Sequence, residues 1–137
     1  MLRTLLVEDN VHFREVIKRE LSFQFPLMEV LEAGSGEEAL ETLGSHPLDL
    51  VFMDIGLPAQ SGLQVTKIIK AKYPDITVII LTAYALAEYK EAAIRSGASG
   101  FVNKQSFEMD QIFTLIECFA KAKLNDAKPN CTRLIGR

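Results

Sequence analysis

The chain has no apolar run approaching the roughly 20 residues that a bilayer-crossing helix needs. Its N-terminus, MLRTLLVED, turns acidic too early for a secretory signal, so a cytoplasmic location off the membrane is expected. Cysteine is scarce. Cys118 and Cys131 belong to neither a CxxC pair nor a His/Cys cluster, which argues against a metal site or a disulfide framework and leads us to expect reduced thiols. A basic excess is also missing. The net charge is -3, and the segment from residue 121 to 137 holds five basic side chains against Asp126, a balance of +4, which leaves the first 120 residues at -7. An acidic body of this kind does not bind nucleic acid directly, and the basic end reads as a solvated tail or the stub of a linker. Internal repeats and low-complexity stretches are absent as well.

What is present suits one globular domain: 137 residues, of which 48% are hydrophobic. Short apolar runs stand at TLLV (4 to 7), EVLE (29 to 32), LVFM (50 to 53), VIIL (78 to 81) and GFV (100 to 102). Such runs, nearly unbroken in hydrophobicity, are what strands of a parallel sheet covered on both faces require. Helical spacing separates them: Phe13, Val16, Ile17 and Leu21; Ala39, Leu40 and Leu43; Val65, Ile68 and Ile69; and a fourth helix, about Leu86 to Ser96, that buries mostly alanine. The fifth helix carries Met109, Ile112, Phe113, Ile116, Phe119 and Ala120 on one stripe. Ser35 and Glu38 form a capping box, Pro74 follows the third helix, and Gly97 stops the fourth. The expected fold is α/β, a doubly wound (βα)5 unit with a parallel five-stranded sheet of flavodoxin-like order 2-1-3-4-5. The domain is expected over residues 1–124, with a loose basic tail at 125–137.

In a parallel sheet every strand C-terminus lies on one edge. The residues just past the runs, Glu8, Asp9, Asp54, Thr82, Ala83 and Lys104, therefore become neighbours, with the first and third strands side by side at the switch point. Three crowded carboxylates would destabilise the fold unless a cation joined them. Oxygen donors without His or Cys select Mg2+, and the small Gly56 leaves its backbone carbonyl open as a further ligand. Asp54 could then attack phosphorus and become an acyl phosphate. Lys104 would pair with the phosphoryl oxygens, Thr82 would donate its hydroxyl to one of them, and the Ala83 amide leaves room for close approach.

Each residue alone has a plainer reading. Asp9 or Asn10 would cap the first helix, Asp54 a turn before Pro58, and Thr82 would be an ordinary β-branched strand residue. Ser61 with Gly62 starts a helix; His12 is a solvated residue beside a helix start, and His46 lies in a loop. Coincidence at four strand ends favours the site. A flavin carrier would need a Ser/Thr/Gly-rich phosphate loop where VEDN stands, and an aspartyl phosphatase a second aspartate where Gly56 stands.

With these residues in place, LLVEDN, DLVFMDIGLPAQSG, VIILTA and GASGFVNK strongly resemble the receiver domains of two-component response regulators, over about residues 2 to 124. The resemblance implies that Glu8, Asp9 and Asp54 hold Mg2+, and that Asp54 takes a phosphoryl group from a sensor histidine kinase or a phosphotransfer protein. It implies a signalling phosphoacceptor, not an enzyme in the ordinary sense. It further implies a switch, in which Thr82 moves toward the phosphoryl group and Phe101 swings inward, altering the face of the fourth helix, fifth strand and fifth helix for a downstream protein. A homodimer through the fourth and fifth helices stays open, as does attachment to a DNA-binding output domain or a phosphorylation-independent interaction role. One departure stands out: the family usually has proline after the lysine, and here Gln105 follows Lys104. A cis bond there would cost about 3 kcal/mol, so either that strain is carried or the loop runs trans and Lys104 arrives by another path.

Overall fold

Five apolar runs become five parallel strands joined by helical crossovers. The computed structural model of the chain describes residues 2–84, 87–105 and 109–124. The elements are β1 (Arg3–Val7), α1 (Val11–Gln24), β2 (Glu29–Ala33), α2 (Gly36–Ser45), β3 (Leu50–Met53), α3 (Gly62–Lys72), β4 (Thr77–Thr82), α4 (Ala87–Arg95), β5 (Gly100–Asn103) and α5 (Met109–Leu124). The strand order is β2-β1-β3-β4-β5, as the sequence led us to expect. Every pairing is parallel, and the register sets Val7 beside both Ala33 and Met53, and Met53 beside Ile80.

Because successive side chains on a strand point to opposite faces, each apolar run feeds two cores. Leu5, Val7, Val51, Met53, Val78, Ile80 and Phe101 pack with α2, α3 and the Ala93–Ala98 turn region on one face. Leu6, Leu50, Phe52, Ile79, Leu81 and Val102 pack with Ile17 and Leu21 of α1 and Ile112, Leu115, Ile116 and Phe119 of α5 on the other. All four residues of β3 are buried, which is why that strand reads as a continuous apolar run.

The helix starts follow their caps. Asn10 Oδ1 accepts from the Phe13 amide at 3.0 Å, Ser35 Oγ from Glu38 at 3.1 Å, and Ser61 Oγ from Leu63 at 3.2 Å. The capping box closes on Gly34, whose amide donates to Glu38 Oε2 at 3.1 Å. Gly97, at φ 99°, occupies the left-handed turn that ends α4.

Three expectations need correction. Val16 and Ile68, assigned to buried stripes, are 38% and 36% exposed, and Ala120 is exposed while Leu115 is buried. A helix turning 100° per residue puts its stripe edges in solvent, and only the centre faces the sheet. Cys118 is not a reduced thiol: it is disulfide-bonded. Sequence spacing identifies metal and redox motifs, whereas a disulfide depends only on proximity in space, with Cα atoms about 4.4–6.8 Å apart. Leu86, the expected start of the fourth helix, and the whole tail 125–137, including Cys131, lie outside the described residues.

Candidate functional site

The sheet ladder continues one rung past three strands and fixes the backbone of the residues that follow. The Glu8 amide donates to Ala33 O at 2.9 Å, Asp54 to Val7 O at 3.1 Å, and Lys104 to Thr82 O at 2.8 Å. A strand ends on Asp54 because the apolar run has reached the edge of the sheet, where its next side chain turns into a polar pocket.

One carboxylate oxygen each from Glu8, Asp9 and Asp54 lies within 4.8 Å of the others. Glu8 and Asp54 are 2% and 6% exposed, while Asp9 is open to solvent. The Lys104 ammonium enters the same space, paired with Glu8 Oε1 and 3.4 Å from Asp54 Oδ2. The peptide bonds of the described residues are all trans, Lys104–Gln105 included, and the Gln105 amide is held by Asn103 Oδ1 at 2.9 Å.

Burial pushes the Glu8 carboxyl up to about 7, with the Asp54 charge adding to the rise against the opposing Lys104 and Asn10 hydrogen bonds. Burial also pulls on Lys104, but its hydrogen bond to the Glu8 carboxylate and the charges of Asp54 and Glu8 outweigh it and leave the ammonium above its ordinary range. The pocket therefore favours positive charge. Three carboxylate donors without His or Cys fit a hard divalent cation, and Mg2+ is the one such a partly open set suits.

The other expected residues lie around this pocket. Thr82 is fully buried at the end of β4, and its hydroxyl accepts from the Tyr84 amide at 3.3 Å. The Gly56 amide lies 3.4 Å from Asp54 Oδ1, and a Cβ on Gly56 would come within 2.8 Å of the Tyr84 ring. Ala83 is exposed beside Thr82. Phe101 is packed inside, against the β3–β4 core. His12 and His46 are exposed, away from any metal-capable cluster among the described residues.

Sequence reasoning missed three contributors. Arg14 Nη1 donates to Glu8 O at 2.6 Å and its Nε to Glu32 Oε1 at 3.3 Å, tying α1 to the backbone under the pocket. The Phe13 ring lies 4.5 Å from the Lys104 ammonium. At Gly62, an ideal Cβ would sit 1.9 Å from the Asp54 carbonyl oxygen. The only advance signal was position: Phe13 and Arg14 fall in the first turn of the helix that leaves the acidic edge.

Fold and site together define a flavodoxin-like α/β domain with an acidic, cation-seeking pocket at the switch point. A family model described as the response regulator receiver domain matches residues 4–117, and the chain belongs to that family, the receivers of two-component signalling. The transcriptional regulatory protein DegU of Brevibacillus brevis is 27% identical over 120 residues, covering 88% of this chain and 50% of its own length. The response regulator TrrA of Thermotoga maritima, solved in complex with Mg(2+)-BeF, is 36% identical, with a TM-score of 0.77 over 87% of this chain and 99% of that one. The N-terminal domain of an uncharacterized Wolinella succinogenes protein is 33% identical, with a TM-score of 0.83 over 92% and 99%. The chain spans about half the length of DegU and 55% of the Pseudomonas viridiflava response regulator GacA. No helix among the described residues is long and apolar enough to cross a membrane.

Proposed function

We propose that Asp54 is the phosphoacceptor of this receiver, taking a phosphoryl group from a histidine kinase or phosphotransfer protein in the cytoplasm. Glu8, Asp9, Asp54 and the Gly56 carbonyl would hold Mg2+. The observation that carries this reading is the meeting of three carboxylates from two strand ends with the Lys104 ammonium in one pocket. Support comes also from TrrA, whose complex contains magnesium and a beryllofluoride group.

In the transfer, a bond forms from an Asp54 carboxylate oxygen to phosphorus as the P–N bond to the donor imidazole breaks, and the imidazole leaves neutral after taking a proton from solvent. When bound, Mg2+ supplies positive charge against the phosphoryl oxygens. Lys104 lies close enough to Asp54 to pair with another of these oxygens, and the Thr82 hydroxyl is free to exchange its Tyr84 partner for a third. Those contacts exist only in the phosphorylated state. They would therefore shift the population between two packings of Thr82 and Phe101, changing the α4-β5-α5 face that a downstream protein reads. In this reading the buried Phe101 belongs to one of the two packings.

The test is titration with Mg2+ and beryllofluoride, followed by amide NMR, for the native chain and Asp54→Asn. The native chain should show Mg2+-dependent shifts that spread from Asp54 to β4 and β5, and Asp54→Asn should lose the beryllofluoride response. A native chain that ignores both reagents would leave a phosphorylation-independent interaction domain. Attachment to a DNA-binding output is a second reading, favoured by the half-length match to DegU. It predicts further coding sequence downstream of residue 137, which reading the intact gene would show or refute.

A further inference from the structure

The ammonium of Lys104 has three described neighbours, and they differ in kind. Glu8 and Asp54 are anions; the third is the uncharged face of Phe13, 4.5 Å away at the ring centroid. Phe13 is fixed from two sides. Its amide is held by the Asn10 cap at 3.0 Å, and its ring is half-buried against the α1/α5 core. At the other end, the Lys104 amide is pinned to Thr82 O at 2.8 Å, so the lysine stem crosses from β5 to the start of α1. Its side chain is only 16% exposed.

Both carboxylates that hold Lys104 are the groups assigned above to the cation and the phosphoryl group. When they turn to those ligands, the ammonium must share or lose them. An aromatic ring cannot ligate a hard cation, so its attraction for the ammonium persists whatever occupies the pocket. We propose that Phe13 is a positioning residue for Lys104: its ring keeps the ammonium beside Asp54 while the carboxylates engage the incoming groups. This rests on the reading of Asp54 as the phosphoacceptor.

The expected effect follows from the usual strength of a cation held over a ring, which corresponds to about a twofold to tenfold change in affinity at a partly desolvated site. Three full-length variants test it: Phe13→Leu, Phe13→Tyr and Lys104→Met. Calorimetric titration with beryllofluoride at saturating Mg2+ should show Phe13→Leu weakened by that factor and Phe13→Tyr close to native. Affinity for Mg2+ alone should change less than about twofold, because an aromatic ring is no ligand for a hard cation. A Tyr variant as weak as the Leu variant, or a Leu variant equal to native, overturns the proposal. Metal-free thermal unfolding of Phe13→Leu, Lys104→Met and the double variant supplies a readout independent of the ligands. Non-additive losses are expected, and additive losses overturn the pairing. If the native chain binds no beryllofluoride, the phosphoacceptor reading fails, and the metal-free cycle alone then decides for or against the Phe13–Lys104 pairing.

Discussion

Gly62→Ala separates two opposed effects at the wall of the site. In an open helix the change would stabilise by up to about 1 kcal/mol, since alanine has the higher helix propensity and restricts the unfolded chain. Here the added Cβ would stand 1.9 Å from Asp54 O, 2.8 Å from its carbonyl carbon and 3.0 Å from Ile55 Cα. All three are backbone atoms, so no side chain can swing aside. The start of α3 must move from the end of β3 by about 1 Å, against the bond from the Gly62 amide to Ile55 O at 2.9 Å. Overpacking of this kind costs about 1–3 kcal/mol, and contact with backbone puts the value near the upper end, so a net loss of about 2 kcal/mol is expected. The same shift moves Asp54. A 1 Å misplacement of a reacting group costs on the order of a hundredfold in rate, and phosphorylation by acetyl phosphate should slow accordingly. Urea unfolding gives the first quantity and intact-mass kinetics the second. A variant at least as stable as native, with an unchanged rate, would refute the close approach of α3 to the Asp54 backbone.

The remaining predictions concern pH and the phosphoryl lifetime. Burial raises Glu8 from 4.5 to about 7 in the folded, metal-free protein, so its proton favours the fold fully below about pH 4.5, and that contribution is lost as pH rises through 7. Mg2+ needs the ionised form; its affinity should therefore fall by up to about tenfold per unit as pH drops below 7, and Glu8→Gln should bind more weakly but without that slope. A native affinity that stays flat from about pH 5 to 7 would contradict the buried, proton-holding Glu8. Tyr84 leans over Gly56 and tilts against Tyr89 at 5.5 Å between centroids. Tyr84→Ala should open a path for water and speed loss of the phosphoryl group several-fold, and equal dephosphorylation rates would reject this role.

The sheet and its acidic edge were legible because both follow from local pattern. Each apolar run ends where the strand ends, and a parallel sheet puts all such ends together. What the pattern could not show is stagger. The register pairs Val7 with Met53, so Glu8 and Asp54 each lie one residue past that pair; it pairs Met53 with Ile80, so Thr82 lies one residue farther out than Asp54. Thr82 shares the sheet face of Ile80, and Lys104 comes one residue after the Asn103 that pairs with Thr82. The lysine is therefore the outermost of the group and must reach back inward to meet Glu8 and Asp54. A long stem reaching back needs a surface to lie on, and Phe13 supplies one from a helix far away in sequence. Such contacts depend on the depth of each strand end and on which helix begins beside it, quantities that hydrophobic spacing does not encode. Gly62 follows the same logic: its sequence reading as a helix start is sound, but its lack of a side chain is required by the Asp54 carbonyl, not by the helix.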